Sequence, residues 1–322
     1  MKRLLFWILV LGFFCCFFFC GCTVSARQPQ ITVVMKTHPS KVEFWEVAME
    51  GVKTAADEFG VKLEITGIDE EFMVDEQIAL VDEIIKDKPD VMVLVATDFE
   101  RLVPSVERAA AQDIKIVTLD SDVNSAKRIC FIASDNIEIG RQMGVQLSSL
   151  LENGGKVAVI GHIEGTSTGI DRVEGALGVL RVRDDIELVG VYYCDNRAER
   201  AKEIVLGLLK EQPDIAGIIG TNEISNLGVA HALSEAGKAG SIKLVGCDNS
   251  RQQIQFLEQG VIQAIVVQQP FSMGYTAIMQ AVKVAHGEAV DSFTDIECVV
   301  ITRENMYTEK NQKLLFPFQS GK

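Results

Sequence analysis

The residues best suited to bind a small molecule are polar and aromatic side chains at or soon after the ends of predicted strands. They are Lys36, Phe44, Trp45, Asp120, Asn222, Asp248 and Gln268. Carboxylates and amides exchange hydrogen bonds with neighbouring hydroxyl groups, and an aromatic ring stacks on the C–H face of a sugar. Because strand ends of parallel sheets meet at a crevice, the set predicts a binding site for a pyranose or furanose.

Each of these residues also has a purely structural interpretation. Phe44 lies on the apolar stripe of its helix and fits a core position, whereas Trp45, rotated by about 100°, could shield the first helical turn. Asp120 could cap the turn that follows it, and Asn222 or Asp248 could be the N-cap of the next helix. The binding hypothesis therefore depends on their joint placement at one crevice.

Catalytic motifs are missing from the sequence. We find no GxxxxGK[ST] phosphate loop, no GxSxG elbow, no HExxH helix and no GxGxxG after the first strand. The histidines have no partner at ligand spacing and lie at His38, His162, His231 and His286. Acidic runs such as residues 69–71 are interpreted as solvated helix faces. These observations favour a binding protein that is not an enzyme and needs no cofactor or metal.

Short β-rich runs alternate with helical periods from Ile31 onward, which predicts an α/β fold with two doubly wound parallel sheets. The predicted strands are Ile31–Lys36, Lys62–Thr66, Val91–Val95, Lys115–Leu119, Lys156–Ile160, Glu187–Tyr193, Gly217–Gly220, Lys243–Gly246 and Ala264–Gln268. The predicted helices are Glu43–Phe59, Val74–Lys86, Leu102–Gln112, Ile137–Leu151, Thr168–Val182, Arg197–Lys210, Ile224–Glu235, Gln252–Gln259 and Met273–His286. The glycine pair at residues 154–155 marks the start of the second series.

The first residues carry an export signal. A short positive start precedes the apolar run Leu4–Phe19, which has the length of a secretory h-region and is short for a membrane span. The run ends in Phe19-Cys-Gly-Cys22, which resembles a bacterial lipobox with Phe in place of the usual Leu. We therefore expect a signal peptide at residues 1–21, lipid attachment at Cys22 and a tether at residues 22–30. An uncleaved anchor helix is the alternative, and either one places the remaining chain outside the cytoplasm.

The charge of the chain disfavours two kinds of partner. The formal net charge is -14 and the sequence has no basic cluster. Binding to nucleic acid is therefore not expected, and attachment to the membrane depends on the lipid anchor.

Four cysteines follow the expected lipid site, each in or beside an apolar β-like run. They are Cys130, Cys194, Cys247 and Cys298. Their spacing fits neither a zinc site nor a redox CxxC, which favours buried free thiols and leaves a disulfide open.

The order of the motifs resembles the type I periplasmic binding proteins, specifically the ribose- and galactose-binding, LacI-like group that serves sugar importers. The resemblance covers residues 31 to about 301. The matching stretches are Phe44–Val52, Val117–Asp120, Ile132–Asn136, Gly165–Ser167, Asp171–Gly175, Thr221–Glu223, Val245–Asp248 and Gln268–Pro270. The export signal, the acidic charge and the missing DNA-binding helices argue against a LacI-type repressor.

The resemblance implies that Phe44 and Trp45 contact the sugar and that the strand-end Asp, Asn and Gln residues hydrogen-bond to it. The chain also departs from the ribose binders. Ser121 stands where they carry Arg, and Ile170 stands where they carry a pocket Arg, so that Arg172 is the nearest basic candidate. Val95 replaces an Asn, and Lys36 replaces a small polar residue. These departures argue against ribose itself and leave open another sugar, or a ligand with a negative group that meets Lys36.

The resemblance further implies two lobes joined by a three-segment hinge. The expected lobes are residues 31–133 with 269–297 and residues 134–268 with 298–322. The crossings are expected near Ala133–Asn136, Gln268–Pro270 and Cys298–Thr302. The implied partners are a small ligand, expected to be a monosaccharide, and an ABC permease. The alternative is a ligand-sensing lipoprotein that signals to a membrane sensor kinase.

Overall fold

The computed structural model describes residues 27–317. The predicted signal peptide, the lipid site Cys22 and the last residues of the tail lie outside this range, so they remain predictions. Among the described residues, no helix combines the length and the apolar character needed to cross a membrane.

Six parallel strands form the first sheet, in the order β11-β5-β4-β3-β1-β2. Their bounds are β1 Gln30–Met35, β2 Lys62–Gly67, β3 Val91–Leu94, β4 Lys115–Leu119, β5 Arg128–Ala133 and β11 Phe293–Asp295. Strand β3 is apolar throughout, and β4 is buried except at Lys115, because helices cover both faces of this sheet.

The second sheet repeats this arrangement, in the order β12-β10-β9-β8-β6-β7. Its strands are β6 Gly155–Gly161, β7 Ile186–Tyr193, β8 Ile215–Gly220, β9 Lys243–Cys247, β10 Ala264–Val267 and β12 Val299–Thr302. Strand β12 pairs antiparallel with β10, so one edge departs from the all-parallel sheet that the sequence predicts. The two α/β sheets are otherwise those expected from the alternating pattern.

Ten helices lie within the described residues, besides a 3-10 turn at Pro39–Lys41. They are α1 Glu43–Phe59, α2 Val74–Asp87, α3 Val103–Ala110, α4 Asn136–Leu150, α5 Ser167–Leu180, α6 Ala198–Glu211, α7 Glu223–Glu235, α8 Arg251–Glu258, α9 Pro270–Ala285 and α10 Glu309–Leu315. The first nine agree with the predicted helices within three residues at either end.

The strands β5, β11 and β12 and the helix α10 are absent from the predicted elements. All three strands lie at or next to the edges of their sheets. The apolar β-like runs at Cys130 and Cys298 mark β5 and β12, whereas β11 has no such run and keeps exposed side chains. Phe293 in β11, for example, is 41% exposed. Tertiary contacts rather than local pattern therefore define β11.

The chain passes between the sheets at three places. It leaves the first sheet after β5, returns to it after β10 and leaves it again between β11 and β12. Helix α9 packs on α1, β3 and β4 and so belongs to the first sheet, which we call with its helices the N-terminal lobe; the second sheet and its helices are the C-terminal lobe. The third passage lies before Val299, so the crossing expected at Cys298–Thr302 falls mostly within strand β12.

The four cysteines of the described chain are free thiols, and three of them are buried as the sequence favours. Cys130, Cys194 and Cys247 are buried and Cys298 is half-buried. Burial raises the pKa of Cys194 and of Cys298 to about 11, so both thiols are protonated and unreactive at neutral pH.

Candidate functional site

The predicted binding residues all line one cavity, which lies between the carboxyl ends of the strands of the two sheets. From the predicted set come Lys36, Phe44, Trp45, Asp120, Arg172, Asn222, Asp248 and Gln268. The lining is completed by Val42, Glu71, His162, Thr168, Asn196 and Glu223. The cavity has a volume of about 20 Å³, room for about one or two water molecules, so the lobes are closed around it.

Lys36 is the centre of the polar contacts in the N-terminal lobe. It follows β1 directly, and its Nζ donates to Asp120 Oδ2 at 3.1 Å and lies 3.5 Å from Glu71 Oε2. The ammonium group also lies 5.5 Å from the centroid of the Trp45 ring, within range of a cation–π contact. Burial alone would lower the pKa of Lys36, but Glu71 and Asp120 raise it above its ordinary value. Lys36 is therefore a buried, fully paired cation.

Arg172 joins the carboxylates of the two lobes. Its guanidinium lies 4.0 Å from Asp120 and 3.8 Å from Asp248. It also donates to the carbonyl of Thr221 at 3.0 Å and to Asn136 Oδ1 at 2.8 Å. Only 3% of the side chain is exposed. A planar, buried guanidinium held in this way is fixed in orientation before a ligand arrives.

Asp120 and Asp248 occupy equivalent places in the two lobes, directly after β4 and β9. Both have left-handed backbone conformations, with φ of 63° and 68°. Each backbone N–H donates to a neighbouring strand, Asp120 to Ile132 O at 2.8 Å and Asp248 to Val266 O at 2.9 Å. This conformation is unfavourable for most residues but tolerated by Asp, and it turns both carboxylates toward the cavity. Neither side chain caps the turn or helix that follows it.

Phe44 and Trp45 form the aromatic part of the cavity. Their ring centroids are 4.8 Å apart and the rings are nearly perpendicular. Phe44 is 7% exposed and Trp45 is 3% exposed. Both rings also belong to the hydrophobic core of the N-terminal lobe, so the core and pocket interpretations hold together.

Asn222 is a helix N-cap and also lines the cavity. Its Oδ1 accepts from the backbone N–H of Ser225, which makes it the N-cap of α7, while its Nδ2 donates to Asn196 at the cavity. Asp248, in contrast, is not the N-cap of α8, because Ser250 holds that position. Its carboxylate accepts from Gln268 Nε2 at 2.6 Å and from the backbone N–H of Glu223 at 3.1 Å.

Glu71 corrects one interpretation from the sequence. The run at residues 69–71 is part of a loop between β2 and α2 rather than a solvated helix face, and Glu71 is 4% exposed. Burial raises the pKa of Glu71, while Lys36 and the Trp45 side chain act in the opposite direction. No residue pattern near position 71 distinguishes this acid from its exposed neighbours, because only the fold brings it to the cavity.

His162 and Asn196 line the cavity but are absent from the predicted set. Selecting polar residues that follow a strand end, as was done for the other residues, could have found both. His162 follows β6 directly, and Asn196 lies in the turn after β7. The ring nitrogens of His162 contact Thr221 and Thr168 hydroxyls, both at 3.0 Å. Burial and the nearby Arg172 lower the pKa of His162 well below its ordinary value, so the ring is neutral.

The departures from the ribose binders have different outcomes. Ile170 is 43% exposed and does not line the cavity, whereas Arg172 does, as the sequence predicts. Ser121 is buried next to Ser167 of the other lobe. Within residues 27–317 no group of acidic, His and Cys side chains is arranged to hold a metal ion.

Comparison with known proteins connects this geometry to one family. A family model described as the periplasmic binding protein domain matches residues 31–289. A D-ribose/D-allose-binding protein of Pseudomonas aeruginosa is 28% identical over 281 residues, which cover 84% of this chain and 86% of that protein.

Two solved structures share the fold over nearly their whole length. The crystal structure of a carbohydrate transporter solute binding protein from Agrobacterium radiobacter, in complex with D-arabinose, has a TM-score of 0.86 and 27% identity. It covers 90% of this chain and 99% of that one. A sugar transporter from Clostridium phytofermentans is 31% identical, with a TM-score of 0.79, and covers 86% and 99% of the two chains.

Proposed function

The chain belongs to the periplasmic binding protein domain family, and from that premise we propose that it captures a monosaccharide between its lobes for an ABC importer. The observation that carries the proposal is the joint placement of the predicted side chains, from both lobes, around one closed cavity. The relatives are named for binding ribose, allose and arabinose or for sugar transport, and none is named as an enzyme. Binding without catalysis is the function that these features support best.

In this proposal the two lobes contribute different contacts to the sugar. The N-terminal lobe supplies the rings of Phe44 and Trp45 for the C–H face of the sugar, together with Asp120. The C-terminal lobe supplies Asp248 and Asn222, and Gln268 and Arg172 lie beside them. A ligand that touches both lobes favours the closed form by the contacts it makes only there.

The first test is thermal melting of the purified chain in mild detergent with pentoses, hexoses, nucleosides and amino acids. A ligand at about 100 times its Kd adds about 2.7 kcal/mol to the free energy of unfolding and raises the midpoint. Asp120→Ala and Trp45→Ala should each remove this shift, whereas Asp57→Ala, on the exposed face of α1, should keep it. A shift only with amino acids would overturn the sugar as substrate and leave the fold unaffected.

The proposal also includes an extracytoplasmic lipoprotein anchored through Cys22. The lipobox-like Phe19-Cys-Gly-Cys22 and the apolar run before it support this part. Labelling cells with a fatty acid should mark the wild-type protein, and Cys22→Ala should abolish the label and release the protein from the membrane. Label retained in Cys22→Ala would contradict lipid attachment at this residue.

The partner is proposed to be an ABC permease that recognises the closed form; a sensor kinase is the alternative. Ligand should stimulate the ATPase of the reconstituted importer only with a protein that closes. A bulky residue in place of Asn222, such as Asn222→Trp, should hold the lobes apart and abolish stimulation. Stimulation equal to that of the wild type would contradict recognition of the closed form.

A further inference from the structure

The charged side chains around the cavity do not balance. The buried cations are Lys36 and Arg172, and they face the carboxylates of Glu71, Asp120 and Asp248. His162 and Glu223 also face the cavity and are neutral near pH 7. Three carboxyl groups therefore face two cations, and all five of these side chains are at most 7% exposed.

Glu71 gives Lys36 a second acid partner besides Asp120. Without it, Lys36 would share Asp120 with Arg172 and would keep part of its positive charge for a ligand. With Glu71 at 3.5 Å, Lys36 has an acid on each side. A buried cation already paired in this way gains little from a second anion, which would have to give up its own hydration.

The oxygen atoms at the cavity that lack a good hydrogen-bond donor also disfavour an anionic ligand. Gln268 Oε1 has no hydrogen-bond donor, and Glu71 Oε2 has only the Lys36 ammonium group, at 3.5 Å. The Gln268 amide nitrogen donates to Asp248, which fixes the orientation of the amide. The amide oxygen then remains as a hydrogen-bond acceptor. Among the described lining residues, no side-chain nitrogen is left without a partner in this way. Carboxylate and amide oxygens seek hydroxyl or amine donors, which an anionic group does not supply.

We propose that Glu71 is a specificity-determining residue that neutralises Lys36 and makes the pocket reject anionic sugars. Sugar phosphates and sugar acids are excluded by charge, and uncharged polyhydroxy ligands are accepted. This inference rests on the proposed function, since it concerns which sugars the same cavity takes. It also decides against a ligand whose negative group meets Lys36, which the sequence leaves open.

The test uses ligands and protein variants that differ in charge but hardly in shape. Galacturonamide and galacturonate, and the smaller pair glyceramide and glycerate, compete with the neutral sugar found by melting, on the full-length protein at pH 7.5. The wild type should bind each amide at least about 30-fold more tightly than its carboxylate, because both buried cations already have acid partners and the anion would lose its hydration without gaining one. Glu71→Gln, an isosteric change, should reduce that ratio to about threefold or less.

The matched control is Glu70→Gln, one residue earlier in the same loop. Glu70 pairs with Lys41 at the surface, with both side chains about 40% exposed, so its charge does not reach the cavity. The control should retain the wild-type ratio. A carboxylate that competes within threefold of its amide on the wild type, or an unchanged ratio in Glu71→Gln, would overturn the inference. If no neutral sugar binds to the wild type, the proposed function itself fails.

Discussion

Two of the contacts between the lobes differ in their chemistry. In the first, which we call the neutral contact, the backbone N–H of Phe99 donates to Gly165 O at 2.8 Å. The backbone N–H of Asp122 likewise donates to Ser167 Oγ at 2.7 Å. The second, the acidic contact, consists of Glu43, Glu223 and Arg251. In this second contact the hydrogen-bond acceptors are the carboxyl groups of glutamate side chains, whereas in the first they are a backbone carbonyl and a hydroxyl group.

In the acidic contact, each lobe caps a helix of the other. Val42, the N-cap of α1, makes no side-chain hydrogen bond to the helix; the N–H groups of Glu43 and Phe44 lie near the Glu223 carboxyl group and act to lower its pKa. In return, Glu43 accepts from the N–H of Arg251, the first residue of α8, at 3.3 Å. Exposed N–H groups at a helix start attract acids, so this arrangement forms only when the lobes close.

The difference indicates that closure has two kinds of control. The neutral contact depends on close approach, because Gly165 is placed where a side chain would meet the other lobe. The acidic contact depends on protonation, because it brings two carboxyl groups together. Changes in shape should therefore disturb the first contact, and changes in pH should disturb the second.

The largest effect is expected from Gly165→Val. A Cβ at this position would lie 2.5 Å from Asp98 Oδ2, and the three nearest atoms all belong to Asp98 of the other lobe. Asp98 is held in place by the N–H groups of Glu100 and Arg101. The clash thus affects only the closed form, and a cost of about 1–3 kcal/mol should weaken sugar binding roughly 5- to 150-fold in calorimetry.

Two companions make this test specific. Gly178→Ala, where an added Cβ meets no atom within 4 Å, should leave the affinity unchanged. Asp98→Ala combined with Gly165→Val should recover most of the lost affinity, because the obstructing carboxylate is gone. If the double variant binds no better than Gly165→Val alone, the clash with Asp98 is not the cause.

The next effect is a pH dependence that comes from the acidic contact. Burial, together with the nearby Asp248 and Glu43, raises the pKa of Glu223 to about 8 from its ordinary value of 4.5. The closed form therefore holds a proton that an open, hydrated Glu223 would release. Its contribution to closure is complete below pH 4.5 and is lost as the pH rises through about 8. The Kd should increase roughly fivefold between pH 7 and pH 8.

Glu223→Gln is the control for this pH dependence. The glutamine side chain resembles protonated Glu223 and does not titrate. The variant should therefore show a nearly constant Kd across the same pH range. His162 acts in the opposite direction, since burial lowers its pKa, but only below its ordinary value of 6.5. Restricting the titration to pH 7–8 separates the two. A wild-type Kd that does not change over this range would remove Glu223 as the source of control.

The sequence predicts the parts of this molecule that follow from local pattern and from strand order. The alternation of β and α elements gave both sheets, and the rule that ligands lie at strand ends brought Asp120, Asn222, Asp248 and Gln268 to one cavity. The same rule, applied to every strand, would have added His162. Strand β11 was missed because exposed side chains conceal its period.

Residues that act across the lobes could not be predicted in this way. Glu71 lies in the loop after β2, but its surroundings in the sequence are those of a surface acid. Glu43 and Glu223 are 180 positions apart (223 − 43) and meet only when the lobes close. Their roles depend on the distance between two separately folded units, which no local period records.

The smallest effect is expected where a third contact combines features of the other two. Arg197 of the C-terminal lobe lies 5.6 Å from the ring centroid of Phe72 in the N-terminal lobe, and Phe72 is 41% exposed. An exposed cation–π contact contributes about 0.5–1 kcal/mol, so Arg197→Ala should weaken sugar binding only about two- to fivefold, independently of pH between 7 and 8. Arg200→Ala is the matched control, because Arg200 shares the ion-pair partner Asp195 but is not paired with Phe72. If both variants lose the same affinity, the effect comes from the charge near Asp195 and not from the contact with Phe72.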